Sequence, residues 1–137
     1  MKRISLIILL IGIFFSVSAQ IKIYNATTEE TKGDQLGVLI GKEIFLTDKN
    51  GVKGEKVGEY KDDGNLYYVT NNVSSISDFA VSSDEVIDIN TAESFEILAD
   101  GVIKSINNYI VVGFSNKFDI KAVGALLLLQ TKYGLRE

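Results

Sequence analysis

Residues 56–73 read KVGEYKDDGNLYYVTNNV, and the order of residue types in this stretch decides the fold. Val57 to Tyr60 and Leu66 to Thr70 carry β-branched and aromatic residues, which pack well on a pleated, half-buried surface. Asp63-Gly64 between them and Asn71-Asn72 after them supply the positive φ that tight hairpin turns require. Strand, turn, strand and turn in direct succession are the start of an antiparallel meander.

The pattern extends in both directions. Turn signals recur at Asp48-Lys49-Asn50-Gly51, Ser82-Ser83, Asn90-Thr91, Asp100-Gly101, Asn107-Asn108 and Ser115-Asn116, mostly 7 to 11 residues apart. That is the spacing of short antiparallel strands. Between them lie Ile44 to Leu46, Val86 to Ile89, Phe95 to Leu98, Val102 to Ile106 and Tyr109 to Phe114, all suited to strands. Ile21 and Ile23 alternate with Lys22 and Tyr24, which predicts a strand there, and Leu36 to Ile40 predicts another. Thr27 to Gln35 is polar and reads as a long loop. The fold class is mainly β: an antiparallel meander, forming a sandwich or small barrel, with one C-terminal helix.

Two segments break the strand rhythm. Asn90 with Glu93 resembles a capping box, so residues 91–99 read equally as helix or strand. After Ser115-Asn116, read as a cap, the run FDIKAVGALLLLQTKY favours a helix over about 117–133, with Gly134 as its C′ residue. Val123 to Leu129 is apolar all round and must be covered on more than one side.

Residues 1–19, MKRISLIILLIGIFFSVSA, have a basic start, an apolar stretch and a small-residue cleavage site. This is the pattern of a secretory signal peptide, leaving one domain over residues 20–137 and a periplasmic or extracellular destination. The apolar stretch is too short to span a membrane, and no integral membrane segment is expected after cleavage. The chain has no Cys and no His, which excludes disulfides, thiolate nucleophiles, Ser-His-Asp triads and the usual zinc ligand sets. An exported protein without Cys favours a bacterial setting.

Without Lys2 and Arg3 the chain carries 12 basic and 18 acidic residues, a net charge of −6. Lys22 to Lys61 is balanced, Asp62 to Gly101 holds nine acids and no base, and the remainder is basic. Nucleic acid is excluded as a partner, because phosphate binding needs a basic footprint. The acidic stretch reads as a solvated face that salt would screen. Asp84, Glu85 and Asp88 within it are the candidate oxygen ligands for calcium.

From Gly54 to Tyr67 the chain reads GEKVGEYKDDGNLY. This resembles the hairpin repeat G-x-x-[IV]-G-x-[IY]-x-x-D-G-x-[IL]-Y of small exported bacterial proteins of unassigned function. In those proteins the repeats precede an Ala/Leu/Phe-rich C-terminal segment, to which Ala122 to Leu129 is similar. One copy is clear here. The resemblance implies a strand-rich exported fold and implies no activity; Gly58 would allow strands to approach closely.

Carboxylates are the remaining catalytic vocabulary, with Lys and Tyr in support. Glu59, Asp62 and Asp63 cluster near a hairpin turn, where a glycosidase could place a pair of acids, although turn chemistry already explains both aspartates. Asp48-Lys49-Asn50-Gly51 fails the EF-hand template, since Leu46 and Val57 would fall at ligand positions. Gly33, Gly37 and Gly41 lack the context of a phosphate loop. Tyr60, Tyr67, Tyr68 and Tyr109 could line a groove, but on strands they more often form cross-strand pairs. Asn25-Ala26-Thr27 and Asn72-Val73-Ser74 match glycan acceptors only for a eukaryotic secretory route. No residue emerges as catalytic, cofactor-binding or metal-binding.

The expected function is an exported, non-catalytic β-rich binding or structural module, with a protein partner or homo-oligomer as further expectations. The alternative is a small Asp/Glu-dependent hydrolase acting on a cell-envelope or glycan substrate. Exported material is expected to begin at Gln20. Intact-mass measurement checks this, and a mass that retains residues 1–19 overturns export with cleavage.

Overall fold

The computed structural model describes residues 20–136, so the signal peptide expected over residues 1–19 lies outside the described residues. The strands are β1 (Gln20–Ala26), β2 (Lys32–Ile40), β3 (Glu43–Thr47), β4 (Lys53–Tyr60), β5 (Leu66–Thr70), β6 (Val73–Ile76), β7 (Phe79–Val81), β8 (Val86–Asp88), β9 (Ser94–Ile97), β10 (Val102–Ser105) and β11 (Val111–Ser115). Among the described residues one helix follows them, α1 (Ile120–Lys132). All strands belong to one sheet, in the order β6-β5-β4-β3-β2-β1-β11-β10-β9-β8-β7. The mainly β antiparallel meander with a C-terminal helix is therefore observed. The sheet forms neither a sandwich nor a hydrogen-bonded barrel.

Two meanders run outward from a central junction. There β1 meets β11 antiparallel, with Ile23 opposite Ser115 and Tyr24 opposite Phe114. The two outer strands, β6 and β7, are consecutive in the chain and separated only by Ser77 and Asp78. The Ser77 N–H donates to the Leu66 carbonyl on one edge, and the Ile89 N–H donates to the Asp78 carbonyl on the other. Tyr68 and Phe79 pack edge to face beside this crossing, with ring centroids 6.4 Å apart. The chain itself ties the edges together. Register shifts in the β1–β2, β3–β4 and β10–β11 pairs mark bulges or irregularities, and bulges increase twist and bend strands.

The helix lies inside this curved sheet and contacts strands from both halves, including β1, β2, β4, β7 and β9. Ala122 to Gln130 are all buried, as an all-round apolar stretch requires. Leu126 to Leu129 are fully buried, each contributing roughly 1.5–3 kcal/mol of burial free energy. The cap lies later than Ser115-Asn116: Asp119 is the N-cap, accepting the Lys121 N–H at 2.9 Å. Ser115 instead holds its own turn, bonding both the N–H and the carbonyl of Lys117. At the other end Gly134 has φ of +72°, and the Leu135 N–H returns to the Gln130 carbonyl at 2.8 Å. This is the Schellman closure expected for a C′ glycine.

Close approach of helix and sheet depends on glycine. A Cβ on Gly58 would stand 2.7 Å from a Leu128 methyl, and one on Gly37 would stand 2.6 Å from Leu129 and 2.5 Å from the Phe45 carbonyl. A Cβ on Gly113 would overlap Leu126. Gly58 thus chiefly admits a helix side chain, with the Tyr67 carbonyl of the next strand 3.2 Å from its would-be Cβ.

One open alternative is settled as strand, and one expected loop is shorter. Residues 91–99 contain strand β9, with no helix. Asn90 and Thr91 form a turn, Ala92 sits at φ of +60°, and the Glu93 side chain faces Ser105 and Arg136. Phe95 is then fully buried while Glu96 is half-buried, the alternation of a strand. The polar stretch 27–35 is shorter as a loop than expected, because β2 begins at Lys32 and pairs with β1 at Ala26.

Gly58→Ala is expected to lose about 1–3 kcal/mol of stability through overpacking, and Leu128→Ala about 2–5 kcal/mol through a cavity. The double variant should lose clearly less than the sum, because truncating Leu128 vacates the space the new methyl needs. Urea titrations of the four proteins give the coupling. Gly37→Ala should not be rescued by Leu129→Ala, since the Phe45 carbonyl also blocks it.

Candidate functional site

Because the helix fills the interior, the concave surfaces lie at its two ends. Above its first turn is a cleft of about 360 Å³ lined by Lys42, Tyr60, Lys61, Asp62, Gly64, Val81, Ser82, Ile120 and Lys121. The β2–β3 and β4–β5 turns, the end of β7 and the helix start all meet there. Tyr60 forms part of the wall and donates to the Lys121 carbonyl at 2.7 Å. Burial pushes its phenol well above the ordinary value, so the hydroxyl stays protonated and structural.

The cations differ in their surroundings. Lys42 donates to Asp62 at 2.6 Å, and Lys61 lies over the Tyr67 ring at 4.4 Å. The Lys121 ammonium makes no ion pair among the described residues. A second cleft of about 320 Å³ shares Ile120 and is lined by Ser83, Asp84, Glu96, Ile97 and Phe118.

The structure separates the three candidate acids. Glu59, on β4, accepts from Ser74 at 2.6 Å and from Lys56 at 3.0 Å. The Ser74 hydroxyl, then Lys56, hold its carboxyl below the ordinary value. Asp62 is held below the carboxylate range by the Lys42 hydrogen bond, and Asp63 by the Tyr67 hydroxyl at 2.6 Å. Each has its own partner, and each is kept ionised.

The tyrosines do not share a groove. Tyr60 turns inward, Tyr67 reaches Asp63, Tyr68 packs on Phe79, and Tyr109 is 72% exposed under Lys104. Lysines also cover Tyr24 and Phe45, at 4.1 and 4.5 Å from the ring centres. The calcium candidates are likewise divided. Asp84 is exposed and bonded to Ser82, Glu85 is partly buried, and Asp88 is buried against Arg136. Among the described residues, no group of three or more acidic side chains is placed to hold a metal ion.

The Arg136 contact is invisible to local pattern reading. Its guanidinium donates to Asp88 at 3.1 Å, lies 3.7 Å from Glu93 and stacks over Phe95 at 4.9 Å. It supplies the cation that the acidic stretch lacks in its own sequence. Removing either partner leaves an uncompensated charge in a largely buried site, a loss on the order of 3–5 kcal/mol.

No helix among the described residues is long and apolar enough to cross a membrane. Comparison with family models, curated proteins and solved structures finds no match.

Glu59 gives the fold an acid sensitivity of known sign. Its folded pKa lies below the ordinary 4.5, so its contribution is complete above that value and is lost as pH falls through the folded pKa. The melting temperature of Glu59→Gln is expected to fall less steeply than that of the parent below about pH 4.5. Identical slopes in a series of thermal melts would assign the sensitivity to other groups.

Proposed function

We propose that the chain is an exported, non-catalytic binding module whose ligand site is the cleft above the first turn of α1. The signal-peptide pattern of residues 1–19 and the resemblance to exported hairpin proteins support export. One observation carries the choice of site. This cleft gathers three lysines and one aspartate in an acidic protein. The neighbouring cleft is lined by two acids, and one at the far end of the helix by Asp34, Asp48 and Lys49. A concave surface of opposite sign to its surroundings concentrates an oppositely charged ligand.

The hydrolase alternative requires one carboxyl kept protonated as general acid. Glu59, Asp62 and Asp63 are held in the opposite direction, which favours binding over catalysis.

Thermal-shift measurements on residues 20–137 with organic anions, calcium, glycans and peptidoglycan fragments test this reading. A ligand at one hundred times its Kd should add about 2.7 kcal/mol of stability. Lys121→Glu should abolish the shift. Turnover of a glycan substrate that Glu59→Gln or Asp62→Asn removes would overturn the non-catalytic assignment.

A further inference from the structure

We infer that the cleft above α1 takes a free organic anion with an apolar body, its charged group between Lys42 and Lys121 and its body over Ile120. The inference rests on the reading of this cleft as the ligand site. Three features of the geometry lead to it.

The first is charge. Lys121 is only partly exposed and makes no ion pair among the described residues, so a cation faces the cleft uncompensated. Asp62 stands at the rim with its side chain 98% exposed, yet it reaches Lys42 at 2.6 Å. A carboxylate is therefore sterically accepted there, and an exposed pair of this kind is weakly held. A ligand anion would compete with Asp62 for Lys42 and meet Lys121, while the Lys61 ammonium stays over the Tyr67 ring.

The second is the apolar surface. Tyr60, Val81 and Ile120 line the cleft, and Ile120 continues into the neighbouring one with Ile97 and Phe118, which is 65% exposed. The third is direction. Asp84 and Glu96 line that neighbouring cleft and repel a second negative charge. An anion can therefore lie with its head at the lysines and its body over Ile120, and the reverse pose is opposed. At about 360 Å³ the cleft is near the lower end of small-molecule sites and suits a short ligand. The net charge of −6 opposes an anionic bilayer, which favours a free ligand over a lipid headgroup.

The experiment uses residues 20–137 labelled with ¹⁵N and three probes: octanoate below its micelle concentration, octylammonium, and phosphatidylglycerol vesicles. Octanoate is expected to move the amides of residues 60–64, 81–82 and 120–121, and octylammonium to leave them in place. Lys121→Gln should weaken octanoate about three- to tenfold, and Asp62→Asn should tighten it by a similar factor, the size expected of one nearby charge. Opposite signs from two variants would not follow from a general loss of fold. If octylammonium moves the same amides as strongly, or Asp62→Asn weakens octanoate, the anion assignment is wrong while the cleft remains a ligand site. If neither small probe moves those amides, the reading of the cleft falls as well. Vesicle co-sedimentation that Lys121→Gln abolishes would overturn the free-ligand assignment in favour of a lipid headgroup.

Discussion

The distance between the α1 backbone and the sheet constrains the rest of the molecule. A curved sheet has little room inside it, and a leucine-rich helix fits only where opposing residues have no side chain. Gly37, Gly58 and Gly113 come from three different strands, and each leaves space for one leucine: Leu129, Leu128 and Leu126. Gly124 does the same from the helix side, beside Tyr60 and Leu66. Packing at this separation removes Ala122 to Gln130 from water on every side and provides the core that a sheet of short strands lacks. It also fixes the axial position of the helix, which places Ile120 and Lys121 at the cleft.

Electrostatics follow the same geometry. The acidic stretch 62–101 supplies strands β5 to β9, and with them the edge that closes toward the helix. Its repulsion is moderated at two kinds of place. Lys42 meets Asp62 at the surface, where the contribution is small, and Arg136 meets Asp88 in a largely buried site, where either charge alone would be costly. The chain after α1 thus acts on strands β8 and β9, far from it in sequence.

Strand order was legible wherever a turn residue had one physical role. Asp63-Gly64, Asn71-Asn72 and Asp100-Gly101 each mark a real hairpin, with Gly64, Asn71, Asn72 and Gly101 at positive φ. The helix was legible because seven consecutive apolar residues cannot face one side only. The curvature was not. Gly37, Gly58 and Gly113 carry no sign of facing leucines 92, 70 and 13 positions away, since sequence records the missing side chain but not its partner. Residues 91–99 were ambiguous because Glu93 satisfies a local capping pattern, and only Ser105 and Arg136 decide against it. The cleft was equally hidden, since Lys42, Lys61 and Lys121 are brought together only when the helix enters the sheet.

All eleven strands among the described residues precede the helix that fills them. A chain emerging from its N-terminus therefore has a complete set of hairpins before it has an interior. The junction of β1 with β11 adds to the delay, because its contacts join residues such as Lys22 and Asn116, 94 positions apart. Closing such separations is slow compared with forming a hairpin. Until residues 120–132 arrive, the inward faces of the strands have no partner. The order of elements along the chain thus postpones closure of the core until α1 has been made, whatever the strands have paired with before it.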